Sequence, residues 1–215
     1  MLSIKLFENK KPKILCLGAH PDDIEIGCGG SILRIIKKIP AAQFRWIVFS
    51  GNEIRVQEAL KSAYSFLNKI ELKQIEIYKY RESYFPFIGS KIKDSFEDLK
   101  KSCSPDLIFT HHSKDAHQDH RLISDLTWNT FRNNFILEYE IPKYDGDLTI
   151  PNFYVQIDKA IVEQKISLIY NTFRSQKEKE WFSEDTFESI MRLRGVESNS
   201  PSQYSEAFHC RKIIY

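Results

Sequence analysis

Apolar residues follow two rhythms along this chain. Residues 13–17 (Lys-Ile-Leu-Cys-Leu) form a short, nearly continuous apolar run that stops at Gly18-Ala19, the pattern of a buried strand. Ile32, Ile35, Ile36 and Ile39 then recur at helical spacing until Pro40 halts them. Residues 44–49 predict a second strand, closed by Ser50-Gly51. Val56, Ala59, Leu60, Ala63 and Leu67 lay one apolar stripe along a helix. A third strand is expected within 75–78. Residues 81–90 are aromatic and carry Pro86 and Gly89, which predicts a loop, and 91–101 fits a helix. Residues 106–110 form another short buried strand, ending in His111-His112. A helix is expected to start within 117–121 and to run through Leu122, Ile123 and Leu126, and 135–139 reads as one more strand. Strands alternating with helices predict βαβ units and a mainly parallel sheet covered on both faces.

The last third changes character. Val162, Ile166, Ile169 and Phe173 mark a helix, and residues 177–194 are charged and aromatic with no element assigned. Residues 198–202 read as a turn or loop, and 207–214 as a closing strand. This part is expected to extend the same domain, making 1–215 a single unit. A length of 215 residues can bury one substantial core and would cramp two.

Composition narrows the setting. Hydrophobic residues make up 42% and charged residues 28%, an ordinary globular balance. A net charge of +2, with lysines and arginines scattered among acids, argues against nucleic acid or a membrane surface as partner. No stretch approaches the roughly 20 apolar residues that span a bilayer. Residues 1–12 carry lysines but no apolar run before a cleavage site, so no secretory signal is expected. Cys16, Cys28, Cys103 and Cys210 are far apart and form no C-x-x-C pair. That favours free thiols in a reducing, cytoplasmic compartment. Cys16 reads as core, and Cys28, although beside the motif below, reads as structural.

Two polar clusters carry the candidate chemistry. His20-Pro21-Asp22-Asp23 follows the first strand directly, and His111-His112 with Ala116-His117-Gln118-Asp119-His120 follows the 106–110 strand. In open α/β sheets ligands sit beyond the carboxyl ends of the strands, so both clusters are expected at one sheet edge. Adjacent carboxylates repel unless a cation or a proton intervenes. A metal relieves this when one carboxylate and the imidazole coordinate it, leaving the other carboxylate to take a proton from water. Capping of the following helix by Asp22 and Asp23 is the plainer alternative. For His117 and His120, which share a helix face, the plainer alternative is a polar, exposed helix start. Together the clusters offer a His, Asp, His set with open coordination positions. Zinc fits hydrolysis, and Fe(II) fits the same donors in an oxygenase. Gly27-Cys28-Gly29-Gly30 lacks the G-x-G-x-x-G spacing, and neither a G-x-x-x-x-G-K-[ST] loop nor a G-x-S-x-G elbow occurs. Dinucleotide and serine-hydrolase chemistry are therefore set aside.

These residues resemble the LmbE-like (PIG-L) de-N-acetylases: Ala19 through Asp23, Gly27, Gly29-Gly30 and His117 through His120 carry the likeness. Arg55, Glu58, Ser175-Gln176, Arg194-Gly195 and Tyr204-Ser205-Glu206-Ala207-Phe208 match further signatures, whereas Ile24-Glu25 departs from members with an acid directly after the paired aspartates. The resemblance implies a Rossmann-like three-layer α/β sandwich with the active site at the C-terminal strand ends. It implies one Zn2+ per chain on His20, Asp23 and His120. Asp22 would be the general base, and His117 would assist the oxyanion and protonate the leaving amine. Asp119 would support the histidines from behind, and Arg55 would contact substrate, its plainer reading being a surface helix residue. The implied reaction is hydrolysis of a linear amide that frees the N-acetyl group of an amino sugar. That sugar is free or linked to a lipid, nucleotide or thiol carrier, and residues 80–87 are a candidate aromatic platform for it. A homo-oligomer is compatible with the resemblance, although no interface is legible. An Fe(II) oxygenase and a non-catalytic carbohydrate-binding module with a structural metal remain the competing readings.

Overall fold

The computed structural model describes residue 7 and residues 11–214. The reading that residues 1–12 hold no secretory signal therefore falls mostly outside the described residues.

Five strands alternate with helices from the start. They are β1 (Lys13–Gly18), β2 (Gln43–Ser50), β3 (Lys73–Tyr80), β4 (Leu107–His111) and β5 (Phe135–Tyr139). Between them run α1 (Asp23–Lys38), α2 (Glu53–Phe66), α3 (Gly89–Ser102) and α4 (Gln118–Thr130). The last third adds β6 (Phe153–Gln156), α5 (Lys159–Thr172), α6 (Glu184–Glu197) and β7 (Ser205–His209). All seven strands form one sheet in the order β3-β2-β1-β4-β5-β7-β6. β1 to β5 are parallel, and β7 pairs antiparallel with both β5 and β6.

Side chains alternate across the strands, so each face needs its own cover. Ile14, Cys16, Trp46, Val48, Phe109 and Leu137 pack under α1, α2, α5 and α6. Leu15, Leu17, Ile47, Phe49, Ile108 and Ile136 pack under α3 and α4. The outcome is a mainly parallel α/β sheet between two helical layers, as the alternating pattern predicts. Chain order reverses at β1, with β2 on one side and β4 on the other, and this opens a crevice between the ends of β1 and β4.

Several expectations need correction. α1 starts at Asp23 and not at the glycines, so Gly27, Gly29 and Gly30 lie inside the helix. Residues 81–90 are not all loop: a 3-10 turn occupies Phe85–Ile88 and α3 begins at Gly89. The closing strand ends at His209, short of residue 214. β6 and α6 went unassigned. β6 is four residues long with no residue fully buried, and the inward residues of α6, Phe187 and Met191, are outnumbered by charges.

The glycines of α1 explain how it presses so closely on its neighbours. A Cβ on Gly27 would stand 2.2 Å from the Tyr139 ring, and one on Gly30 would stand 2.8 Å from Glu206 Oε1. Glu206 accepts the N–H groups of Gly30 and Ser31 at 2.7 and 2.6 Å. Lys165 Nζ lies 2.7 Å from the same carboxylate and donates to the Ile26 carbonyl at 2.6 Å. A fully buried ion pair thus ties α1 to α5 and β7. Gly27→Ala is expected to lower stability by about 1–3 kcal/mol through overpacking against Tyr139, read as a lower urea midpoint with an unchanged m-value.

Candidate functional site

The turn after β1 is held from both sides. Ala19 donates its N–H to His111 Nε2 at 2.9 Å, and its carbonyl accepts the Ser50 hydroxyl at 2.8 Å. Asp22 then adopts φ +92°, a left-handed conformation that costs a residue with a side chain. It occupies the N-cap position of α1, yet its side chain makes no capping hydrogen bond. Its carboxylate faces the Arg55 guanidinium instead, at 3.0 Å. The Asp23 carboxylate turns back and accepts the His20 N–H at 2.6 Å. The capping alternative therefore does not describe either aspartate.

Three donors face one another at the crevice. His20 Nδ1 and His120 Nε2 are 3.1 Å apart. Asp23 Oδ2 lies 3.5 Å from His20 Nδ1, and Asp23 Oδ1 lies 3.6 Å from His120 Nε2. Ligands about 2.1 Å from a tetrahedral zinc are separated from one another by about 3.4 Å. The outer ring nitrogens are taken by carboxylates: His20 Nε2 by Asp119 at 3.2 Å, and His120 Nδ1 by Asp115 at 2.9 Å. This arrangement directs both inner lone pairs into one space, so the residues present fit a divalent metal. His20, His117 and His120 also offer ring nitrogens within 4.8 Å of one another, and an Asp23 carboxylate oxygen with ring nitrogens of His111 and His120 forms a second such grouping.

His117 is the N-cap of α4, and its Nδ1 accepts the Asp119 N–H at 3.2 Å. His117 and His120 stack at 4.6 Å between centroids. His120 and Asp119 are buried, so this helix start is not a polar, exposed one. The Asp119 carboxylate also accepts the N–H groups of Ser83 and Phe85, at 2.6 and 3.1 Å, which hangs the aromatic 81–88 segment on the site. Arg55 is buried rather than on the helix surface. It donates to the Pro21 carbonyl, pairs with Asp22 and reaches Glu82 at 3.5 Å.

Burial and neighbouring charge set the protonation states. Burial pushes Asp22 up to about 6 against the opposing pull of Arg55. Asp23 is buried as well, but the charges of His120 and His111 hold it well below the usual carboxylate range. His111 is lowered to about 4 by burial and by the adjacent His120. Burial likewise lowers His117, reinforced by His120 and His20.

Sequence reasoning missed several members of this cluster. His111 stacks on His120 at 3.9 Å and touches Asp23 at 3.1 Å, whereas its neighbour His112 leaves to pair with Glu138 at 2.8 Å. The alternation of a strand end, which sends successive side chains to opposite faces, could have separated the two. Asp115 and Lys143 lie in irregular segments where no period marks them. Glu25 lies on α1 with both carboxyl oxygens buried, beside the Ser62 hydroxyl. Cys28 donates to the Ile24 carbonyl within the core and takes no part. Glu58 binds the N–H and hydroxyl of Ser175, and Arg194 pairs with Glu140, so these matched positions brace the fold.

Comparison with known proteins matches residues 15–131 to the family model described as PIG-L, GlcNAc-PI de-N-acetylase. The chain belongs to the PIG-L family. An Escherichia coli K12 relative, the uncharacterized deacetylase YaiS, is 25% identical over 176 residues, covering 79% of this chain and 92% of the relative. The N,N'-diacetylchitobiose deacetylase of Pyrococcus horikoshii superposes with a TM-score of 0.68 at 23% identity, over 93% of this chain and 83% of that one. The 4-carboxy-2-hydroxymuconate hydratase GalB of Pseudomonas putida KT2440 superposes at 0.76 and 14% identity, over 95% and 98%. Both structural likenesses show a shared fold, and the second shows that this fold also serves a hydratase. Among the described residues of this PIG-L chain, no helix is long and apolar enough to cross a membrane.

The site also predicts a pH dependence. Burial, with Asp22 and Asp23 nearby, pushes Glu25 up from 4.5 to about 8. Between those values the folded protein keeps a proton that the unfolded chain has released. The contribution of this group to stability is thus full below 4.5 and lost as pH rises through 8. In metal-free protein, Glu25→Gln is expected to gain stability over the wild type on going from about pH 5 to about pH 9. Urea unfolding at both pH values measures it, and an equal difference at the two would contradict the assignment.

Proposed function

We propose that this chain is a zinc-dependent N-deacetylase that removes the acetyl group from an N-acetylated amino sugar, free or carrier-linked. One observation carries the metal: three inward donors, His20, Asp23 and His120, separated by 3.1–3.6 Å, with both outer imidazole nitrogens already bound. Membership of a de-N-acetylase family carries the reaction. When bound there, zinc supplies Lewis acidity that makes water more acidic and the acyl carbonyl more electrophilic.

Each neighbouring residue then has a role. Asp22 takes the proton of the attacking water. A value near 6 leaves it ionised at neutral pH yet more basic than an ordinary aspartate, and Arg55 holds it in place. The Asp119 N–H occupies Nδ1 of His117, which leaves the proton on Nε2. His117 can therefore donate a hydrogen bond to the developing oxyanion, and the proton that Asp22 took from water passes to the departing amine. Asp119 fixes His20 from behind. The C–N bond breaks, and acetate and a free amine leave.

Tyr84 and Phe87, exposed on the segment that Asp119 anchors, support a sugar-facing platform. Residues 1–215 are read as one catalytic unit that acts on a small molecule rather than on nucleic acid. The four free cysteines suit a reducing cytoplasm.

Acetate release across free, nucleotide-linked and lipid-linked N-acetylhexosamines tests the reaction. On the best substrate, Asp22→Asn is expected to lower kcat by about 100- to 10,000-fold while elemental analysis still finds one metal per chain. Full activity in that variant would remove Asp22 as base. Stoichiometric iron with oxygen-dependent turnover would replace zinc hydrolysis by oxygenase chemistry. A tightly held metal with no hydrolysis of any acetamido sugar would favour a binding module.

A further inference from the structure

Behind His120 lies a second tier of charge that the proposed reaction does not use. Asp115 Oδ2 accepts from His120 Nδ1 at 2.9 Å and also lies 3.0 Å from Lys143 Nζ. Lys143 in turn reaches Asp147 Oδ2 at 2.5 Å, and that same oxygen accepts the Ala116 N–H at 2.7 Å. Asp115 Oδ1 accepts the His117 N–H at 2.7 Å, and Arg121 fastens the Asp115 carbonyl at 2.9 Å. Asp115 is buried, and the Lys143 side chain is only 10% exposed. Asp115 therefore touches both histidines of the α4 start, one through the ring of His120 and the other through the backbone of His117.

We infer that Asp115 and Lys143 form a positioning pair that fixes the tautomer and aim of His120, so that residues 143–147 help to set the affinity of the divalent-cation site. The inference rests on the metal reading above. An ionised carboxylate at Nδ1 keeps the proton there and leaves Nε2 as the ligand lone pair. Lys143 holds the Asp115 carboxylate in place at 3.0 Å, and Asp147 holds Lys143 while clamping the turn at Ala116. Lys143 and Asp147 lie beyond residues 15–131, the part matched by the family model.

Charge and position pull in opposite directions here, which makes the pair testable. A lysine ammonium beside a dication site disfavours the metal by simple repulsion, so deleting it should tighten zinc binding if Lys143 were only a nearby charge. If Lys143 positions Asp115, deleting it should weaken binding. Metal-free protein is titrated with zinc against a chromophoric chelator, with circular dichroism confirming the fold of each variant. Asp115→Ala is expected to bind zinc about 10–100-fold more weakly. Lys143→Met is expected to shift the same way, and Lys143→Arg to restore wild-type affinity. Wild-type affinity in folded Asp115→Ala, or equal or tighter binding in Lys143→Met, overturns the inference. If Asp115→Ala does not fold, the Lys143 pair of variants decides alone. Failure of the metal reading looks different: the wild type would then hold no zinc, or His120→Ala would hold it equally well.

Discussion

Parallel pairing of β1 with β4, from Ile14 beside Leu107 to Cys16 beside Phe109, makes a site of residues that are 100 positions apart in the chain. Both strands are buried on both faces, so their ends move with the core and not with the loops. Beyond the paired region the contact continues through side chains. His111 at the end of β4 receives the Ala19 N–H, and Tyr139 at the end of β5 donates to the Leu17 carbonyl at 2.6 Å. Three adjacent strand ends therefore hold the His20 turn, and the donor spacing inherits the rigidity of the sheet.

That placement concentrates charge where water is scarce. Asp22, Asp23, Glu25, Asp115 and Asp119 are all buried. The four aspartates are offset differently. Imidazoles surround Asp23, Arg55 faces Asp22, His120 and Lys143 share Asp115, and His20 with two backbone N–H groups satisfies Asp119. For Glu25 burial outweighs the hydrogen bond from Ser62 and favours the protonated form. A cluster built this way is poorly balanced without a cation at its centre. The left-handed backbone at Asp22 adds local strain to that imbalance. Stability and chemistry compete here, and the surrounding ion pairs moderate the competition.

Much of this was legible in the sequence because the relevant signals are local. The runs at 13–17, 44–49 and 106–110 are short and their apolar residues are all buried, so their pattern survives without knowledge of neighbours. His20 and Asp23 stand on a single turn, and His117 and His120 on a single helix face, so spacing suggested a His, Asp, His set, and the family resemblance chose Asp23 over Asp22 and His120 over His117. What stayed hidden depends on distance in space. Nothing near Arg55 in sequence says that it bends back to Pro21 and Asp22, and nothing near Asp115 announces His120 or Lys143. β6 hid because an edge strand of three half-buried residues and one exposed one carries no alternation. α6 hid because its inward face is a minority among charged residues. His111 and His112 stayed undistinguished because they are adjacent, although His111 touches Asp23 and His112 turns away to Glu138.

The Glu206 carboxylate, 176 positions from the Gly30 N–H it accepts, has a consequence for how the molecule is made. A chain emerging from the ribosome presents β1, α1, β4 and α4, with every proposed ligand, long before residue 206 leaves the exit tunnel. During that interval the Gly30 and Ser31 amides lack their carboxylate, and the Lys165 ammonium has no counter-charge. The helix that carries Asp23 therefore gains its last partners well after it is synthesised. Its seating waits for β7, so the site matures only once residue 206 has emerged.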